Sequence, residues 1–129
     1  MNYVSIDLAK LLKEKGFDEY VPTWYSHKDG NIYSNTTYYS CEIPRYNKEV
    51  DTRAPLQDVV RDWLRGKYHI EINIRHFYKG NPEDGILEYN FSIDRYYPFP
   101  AKRKDDNTNY QTYREALDAA MIEALTNFI

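Results

Sequence analysis

The sequence predicts an α+β fold. The expected form is a two-layer sandwich, an antiparallel sheet of about four strands with helices on one face, in the order α-β-β-α-β-β-α. Three observations lead there. Leu56, Val59, Val60, Trp63 and Leu64 recur at helical spacing and form one apolar stripe. The apolar period then shortens to 2: Ile70, Ile72, Ile74, His76 and Tyr78 share one face, and His69, Glu71, Asn73, Arg75 and Phe77 the other. A last helical stripe, Ala116, Leu117, Ala120, Met121, Ala124, Leu125 and Phe128, ends the chain.

Composition narrows the class. With 129 residues, 42% hydrophobic and 16% aromatic, residues 1–129 suit a single domain with a true core. The formal net charge of −3 argues against non-specific nucleic-acid binding, which needs a basic surface. No apolar run has membrane-span length, and Asp7 with several lysines interrupts any signal-peptide pattern. Cys41 is the one cysteine, so no internal disulfide forms and a reducing cytoplasm is expected.

Taken in order, Ser5 caps a first helix with Asp7 in its first turn. Leu8, Leu11 and Leu12 line it, and Gly16 with Phe17 predicts a Schellman cap closing on Leu12. Tyr20 to His27 and Asn31 to Ile43 read as a hairpin about Asp29-Gly30. Pro22 cannot donate to a ladder, so its strand lies at a sheet edge or breaks there. Residues 44–54 read as a loop. Pro55 opens the central helix and Gly66 ends it.

The hairpin that follows turns at Lys79 to Asp84, and Leu87, Tyr89, Phe91, Ile93 and Tyr97 point inward on its second strand. The expected register sets Ile74 opposite Tyr89 and Arg75 opposite Glu88. It avoids placing Glu71 beside Asp94, a repulsive pair. Pro98 and Pro100 end the strand. Thr112 and Glu115 form a capping box for the last helix, which has Tyr113 on its inner face and an Arg114–Asp118 pair on its polar face.

No catalytic constellation emerges, so an enzyme is not expected, nor is a cofactor or a metal. His69 and His76 fall on opposite faces, and His76 reads as a core histidine. Cys41 has no nearby histidine. Phosphate-loop, dinucleotide and nucleophile-elbow motifs are missing from the sequence. The outstanding feature is 14 tyrosines. Tyr20, Tyr25, Tyr33, Tyr38, Tyr39 and Tyr96 form the candidate protein-interaction surface, with a homodimer through an aromatic patch or an edge strand as one outcome. Tyrosine's preference for strands explains the same residues without a function.

Two resemblances add to this. From Pro55 to Ile129 the order of helix, two or three strands, and an alanine-rich helix resembles double-stranded-RNA-binding domains. That resemblance implies a phosphate grip at Lys102, Arg103, Lys104 and Arg114, weakened by Asp105, Asp106 and Glu115. The opening Ile6 to Asp18, Ala54-Pro55 with Trp63-Leu64-Arg65, and Tyr113-Arg114-Glu115-Ala116 resemble a group of small uncharacterised phage and prophage proteins of gut Bacteroidetes. This second resemblance implies a phage origin and the cytoplasm of a bacterial host. It implies no catalytic residues. The functional expectation is an accessory protein acting by protein–protein contact, the alternative a weak RNA or DNA binder.

Overall fold

The computed structural model describes residues 2–34, 45–81, 83 and 85–129. The chain packs as two compact units, Met1–Leu56 and Gln57–Ile129. Among the described residues, three helices and two separate three-stranded antiparallel sheets replace the expected single sheet of about four strands, so the element order gains two strands.

In the first unit, helix α1 (Ile6–Glu14) starts where Ser5 Oγ accepts the Leu8 N–H at 3.3 Å. It ends in the predicted Schellman cap: Gly16 sits at φ 82°, the Phe17 N–H reaches the Leu12 carbonyl at 2.9 Å, and the Gly16 N–H reaches Lys13 at 3.3 Å. Leu8, Ala9 and Leu12 are buried, so the apolar stripe does what its spacing implies.

The sheet of this unit holds β1 (Thr23–Tyr25), β2 (Ile32–Ser34) and β3 (Thr52–Arg53), in the order β2-β1-β3. Asp29-Gly30 lies in the β1–β2 turn, with Gly30 at φ 73° and the Ser26 N–H closing on Asn31 at 2.9 Å. The strand expected over Tyr20 to His27 is short and central: it begins after Pro22, as the break alternative has it, and the edge alternative does not hold. Pro22 merely precedes it. The missing neighbour was β3, a two-residue strand inside the stretch read as loop. Pro55 and Leu56 are not helical either. The Pro55 carbonyl takes the Val4 N–H at 2.9 Å and Leu56 bridges Tyr3, so this backbone is committed to an extended pairing.

In the second unit, α2 (Gln57–Tyr68) buries Gln57, Val60, Trp63 and Leu64. Val59 is 39% exposed, because Gln57 takes the place on the inner arc that the stripe had assigned further round. Gly66 does not stop the helix. It runs through to Tyr68, and His69 at φ 57° makes the exit, so a non-glycine residue holds the left-handed conformation.

β4 (Ile70–Lys79), β5 (Ile86–Arg95) and β6 (Lys102–Tyr110) form the second sheet with β5 in the middle. β6 is the third strand left open for Pro55 to Ile129, at a place no pattern marked. Its residues are almost all polar and exposed, so no apolar alternation announces it. Helix α3 (Tyr113–Asn127) begins with Thr112 Oγ1 accepting the Glu115 N–H at 3.1 Å. It packs on the sheet face carrying Ile72, Phe91 and Ile93. Asp118, expected on the polar face, is buried and accepts a 2.7 Å hydrogen bond from Gln57 Nε2. Tyr113, expected inward, is 38% exposed, and its hydroxyl accepts from Arg61 at 2.9 Å.

The hairpin register is the one the charge argument rejected. Ile74 faces Phe91 and Glu71 faces Asp94. Each carboxylate has its own guanidinium: Arg65 grips Glu71 at 2.6 and 3.2 Å, and Arg103 Nη1 lies 2.8 and 2.9 Å from the two oxygens of Asp94. Two charge-assisted contacts outweigh the repulsion between neighbours. Arg103 comes from β6, the strand that sequence patterning missed.

Two outcomes follow. Trp63 is 6% exposed, so Trp63→Ala should cost roughly 3–5 kcal/mol in urea unfolding. A cost below about 1 kcal/mol would refute the core placement. Arg103→Ala strands the 6% exposed Asp94 and should cost about 1–3 kcal/mol, whereas adding Asp94→Ala should recover part of that loss.

Candidate functional site

Two features carry chemistry, one in each unit. In the first, the Asp51 carboxylate is 2% exposed, held where the chain turns from Asn47 into β3. Its Oδ1 accepts the His27 backbone N–H at 2.9 Å and lies 2.7 Å from His27 Nδ1; its Oδ2 accepts the Asn47 N–H at 2.8 Å. Burial by itself pushes the pKa of this carboxyl up. The side-chain and backbone hydrogen bonds of His27, then that of Asn47, overcome it and hold the pKa at about 2.

With Nδ1 engaged by the carboxylate, the His27 ring keeps Nε2 for an outside partner. The ring is 42% exposed and borders a pocket of about 220 Å³ shared with Ile6, Lys10, Tyr25, Ser26, Val50 and Thr52. Such a pair can hold or pass a proton. The described residues contain no group of three or more metal-ligating side chains. The pairing escaped the sequence reading because Asp51 lies 24 positions from His27 and sat in a presumed loop.

The same unit holds an aromatic cluster. Trp24 stacks on Tyr33 at 6.3 Å and meets Tyr46 edge-on at 5.8 Å, while the Arg53 guanidinium lies 3.7 Å above the Tyr46 ring. The Tyr33 hydroxyl donates to Asp29, which draws the Asp29 carboxyl down and pushes the Tyr33 phenol up.

The tyrosines of the predicted surface differ in placement. Tyr25 is core, its hydroxyl donating to the Val4 carbonyl at 2.6 Å. Tyr33 is half-buried in the cluster, and Tyr20 is exposed. Tyr38 and Tyr39 lie outside the described residues, as does Cys41. Tyr96 belongs to the second unit.

There, the β5–β6 turn carries Tyr96 at 62%, Tyr97 at 61% and Phe99 at 83% exposure, with Pro98 and Pro100 between and after them. Tyr97, expected inward, lies past the end of β5, where the strand alternation no longer applies. Phe99 was not singled out in the sequence. An aromatic placed between two prolines was the available signal.

Of the four candidate phosphate-binding cations, the three on β6 do not share one face. Strand alternation divides them: Lys102 and Lys104 turn toward α3, and Arg103 turns away. Lys104 Nζ binds Glu123 at 2.8 Å, Lys102 Nζ binds the Asn127 carbonyl, and Arg103 is shared by Asp94 and Asp105. Asp105 first, then Asp94, raises the Arg103 pKa, so this cation is well compensated. Arg114 lies on α3, its carbonyl accepting from Gln57 at 2.9 Å. His76, expected in the core, is exposed near the hairpin tip.

No family model matches the chain, and no curated protein or solved structure does. No helix among the described residues is long and apolar enough to cross a membrane.

The Asp51 geometry predicts an acid transition. Its folded pKa of about 2 lies below the ordinary carboxyl value of 3.8. Its contribution is thus complete above about pH 4 and disappears as the pH falls through about 2. Denaturant unfolding between pH 5 and pH 2 should show this loss, and Asp51→Asn should flatten it while lowering stability at pH 7 by about 1–3 kcal/mol.

Proposed function

We propose that this chain is a small accessory protein of phage or prophage origin that acts by binding another protein and carries out no catalysis. The observation that carries the binding role is the β5–β6 turn, where Tyr96, Tyr97 and Phe99 stand 62%, 61% and 83% exposed within four residues of sequence. Large aromatics placed outside a core are the residue class that dominates binding hot spots, and the adjoining prolines leave few conformations to lose on binding. The origin rests on the motif resemblance of Ile6 to Asp18 and of the two later helices. The host cytoplasm as its location rests on the same ground.

A weak RNA- or DNA-binding role is the second reading. One observation favours it: the second unit runs helix, three strands, helix, the order on which that resemblance rests. Against it, Lys104 and Arg103 are already engaged by carboxylates of the same chain. Phosphate binding would have to break those pairs.

One experiment separates the two. A bait carrying Tyr96→Ala, Tyr97→Ala and Phe99→Ala should keep the wild-type melting temperature and lose a protein partner captured by the wild type, with affinity down tenfold or more. If the triple variant captures as the wild type does, this turn is not the anchor. If instead the wild type binds mixed RNA with an affinity that falls steeply with salt, the second reading replaces the first.

A further inference from the structure

Among the described residues β4 is an edge strand, paired with β5 on one side alone. Two side-chain contacts fix which of its backbone groups face outward. Arg61 donates to the Ile72 carbonyl, and Arg75 Nη2 reaches the Phe91 carbonyl at 3.2 Å, where Phe91 is the partner of Ile74. Both carbonyls therefore point away from the β4–β5 ladder. Because the N–H and C=O of one residue share a side and successive residues alternate, Ile74, His76 and Tyr78 also face outward. Among the described residues, no hydrogen bond reaches that side of the three.

The two edges of this sheet differ. β6 is blunted by Lys102, Arg103, Lys104, Asp105 and Asp106, the usual protection of an edge. The free part of β4 has a half-buried Ile74, an exposed His76 and a Tyr78 at 62% exposure.

We infer that the Asn73–Lys79 edge of β4 pairs antiparallel with the same edge of a second copy of this chain, about a two-fold axis at His76. The argument is one of register. A two-fold axis makes residue i face j and j face i, and the hydrogen-bonded positions must be outward-facing on both copies. Centring on Ile74 requires the Ile72 edge, which Arg61 already occupies. Centring on Arg75 sets that guanidinium against its own copy. Centring on Phe77 sets Arg75 against Lys79 twice, and like charges directly opposite destabilise a ladder. Centring on Tyr78 shortens the ladder.

The His76 register has none of these faults. Ile74 meets Tyr78 of the second copy, a β-branched residue against an aromatic; Arg75 meets Phe77; Asn73 meets Lys79. The two sheets become one of six strands. The partner chemistry is self-complementarity of the outward backbone groups, in a register that sets no like charges directly opposite, so the inference does not depend on the aromatic turn.

Sedimentation of the full chain up to about 100 μM tests it, with a concentration-dependent dimer expected. His76→Pro removes one outward N–H at an edge position where proline is tolerated. It should keep the fold by circular dichroism and weaken the dimer at least tenfold. In a Cys41→Ser background, His76→Cys should cross-link to itself on oxidation, because directly paired residues lie within disulfide reach, and Arg75→Cys should not. A wild type that stays monomeric, a dimer unaffected by His76→Pro, or self-linking at Arg75→Cys in place of His76→Cys overturns the inference. Should His76→Pro fail to fold, the cysteine pair decides. A β4 edge that binds a foreign peptide while the chain remains monomeric also overturns it.

Discussion

Asp94 lies 6% exposed on the sheet face opposite α3, with Glu71 directly across the ladder and Arg103 Nη1 within 2.9 Å of both its oxygens. A carboxylate so placed is costly unless paired. Its satisfaction sets the rest of the second unit. Arg103 must come from a third strand, so β6 must add to β5. Glu71, deprived of that guanidinium, must take Arg65 from α2. Arg75 then ties Asn90 and Asp105 at 2.8 and 3.3 Å. β5 is thereby closed on both faces, by α3 over Phe91 and Ile93 and by arginine side chains over Ser92 and Asp94.

Asp51 plays the corresponding part in the first unit. One buried carboxylate collects the His27 ring and backbone and the Asn47 backbone, while its own carbonyl accepts Lys13 Nζ from α1 at 2.9 Å. A turn, a strand and a helix end meet at a single residue. The exposed imidazole is a by-product of that anchoring as much as a chemical group, and its neighbours in the pocket are mostly apolar or hydroxyl-bearing.

This internal use of charge bears on function. Arg65, Arg75, Arg103 and Lys104 of the second unit are held by carboxylates of the same chain, and a phosphate would have to compete with those pairs. Two outward features of the second unit are apolar or backbone: the aromatic turn after β5 and the part of β4 that has no strand partner among the described residues. Both are features through which proteins meet proteins, the first by side-chain burial and the second by strand addition.

The sequence by itself determined the α+β class, the three helices, both of the N-caps seen, the Schellman cap at Gly16 and the faces of the central hairpin. Those depend on neighbours within about four residues, or on period-2 alternation, and such patterns survive without a partner. Tertiary structure alone decided the hairpin register, the existence of β3 and β6, and the split into two sheets. A polar strand such as Lys102–Tyr110 has no periodic signal, because its stability comes from partners across the sheet. The repulsion of Glu71 and Asp94 was legible, but the guanidiniums that cancel it were not, since Arg65 lies on a helix and Arg103 on the strand that could not be seen. The candidate site divides the same way. The aromatic turn was present in the letters, while the His27–Asp51 pair required the fold to bring 24 positions of chain together.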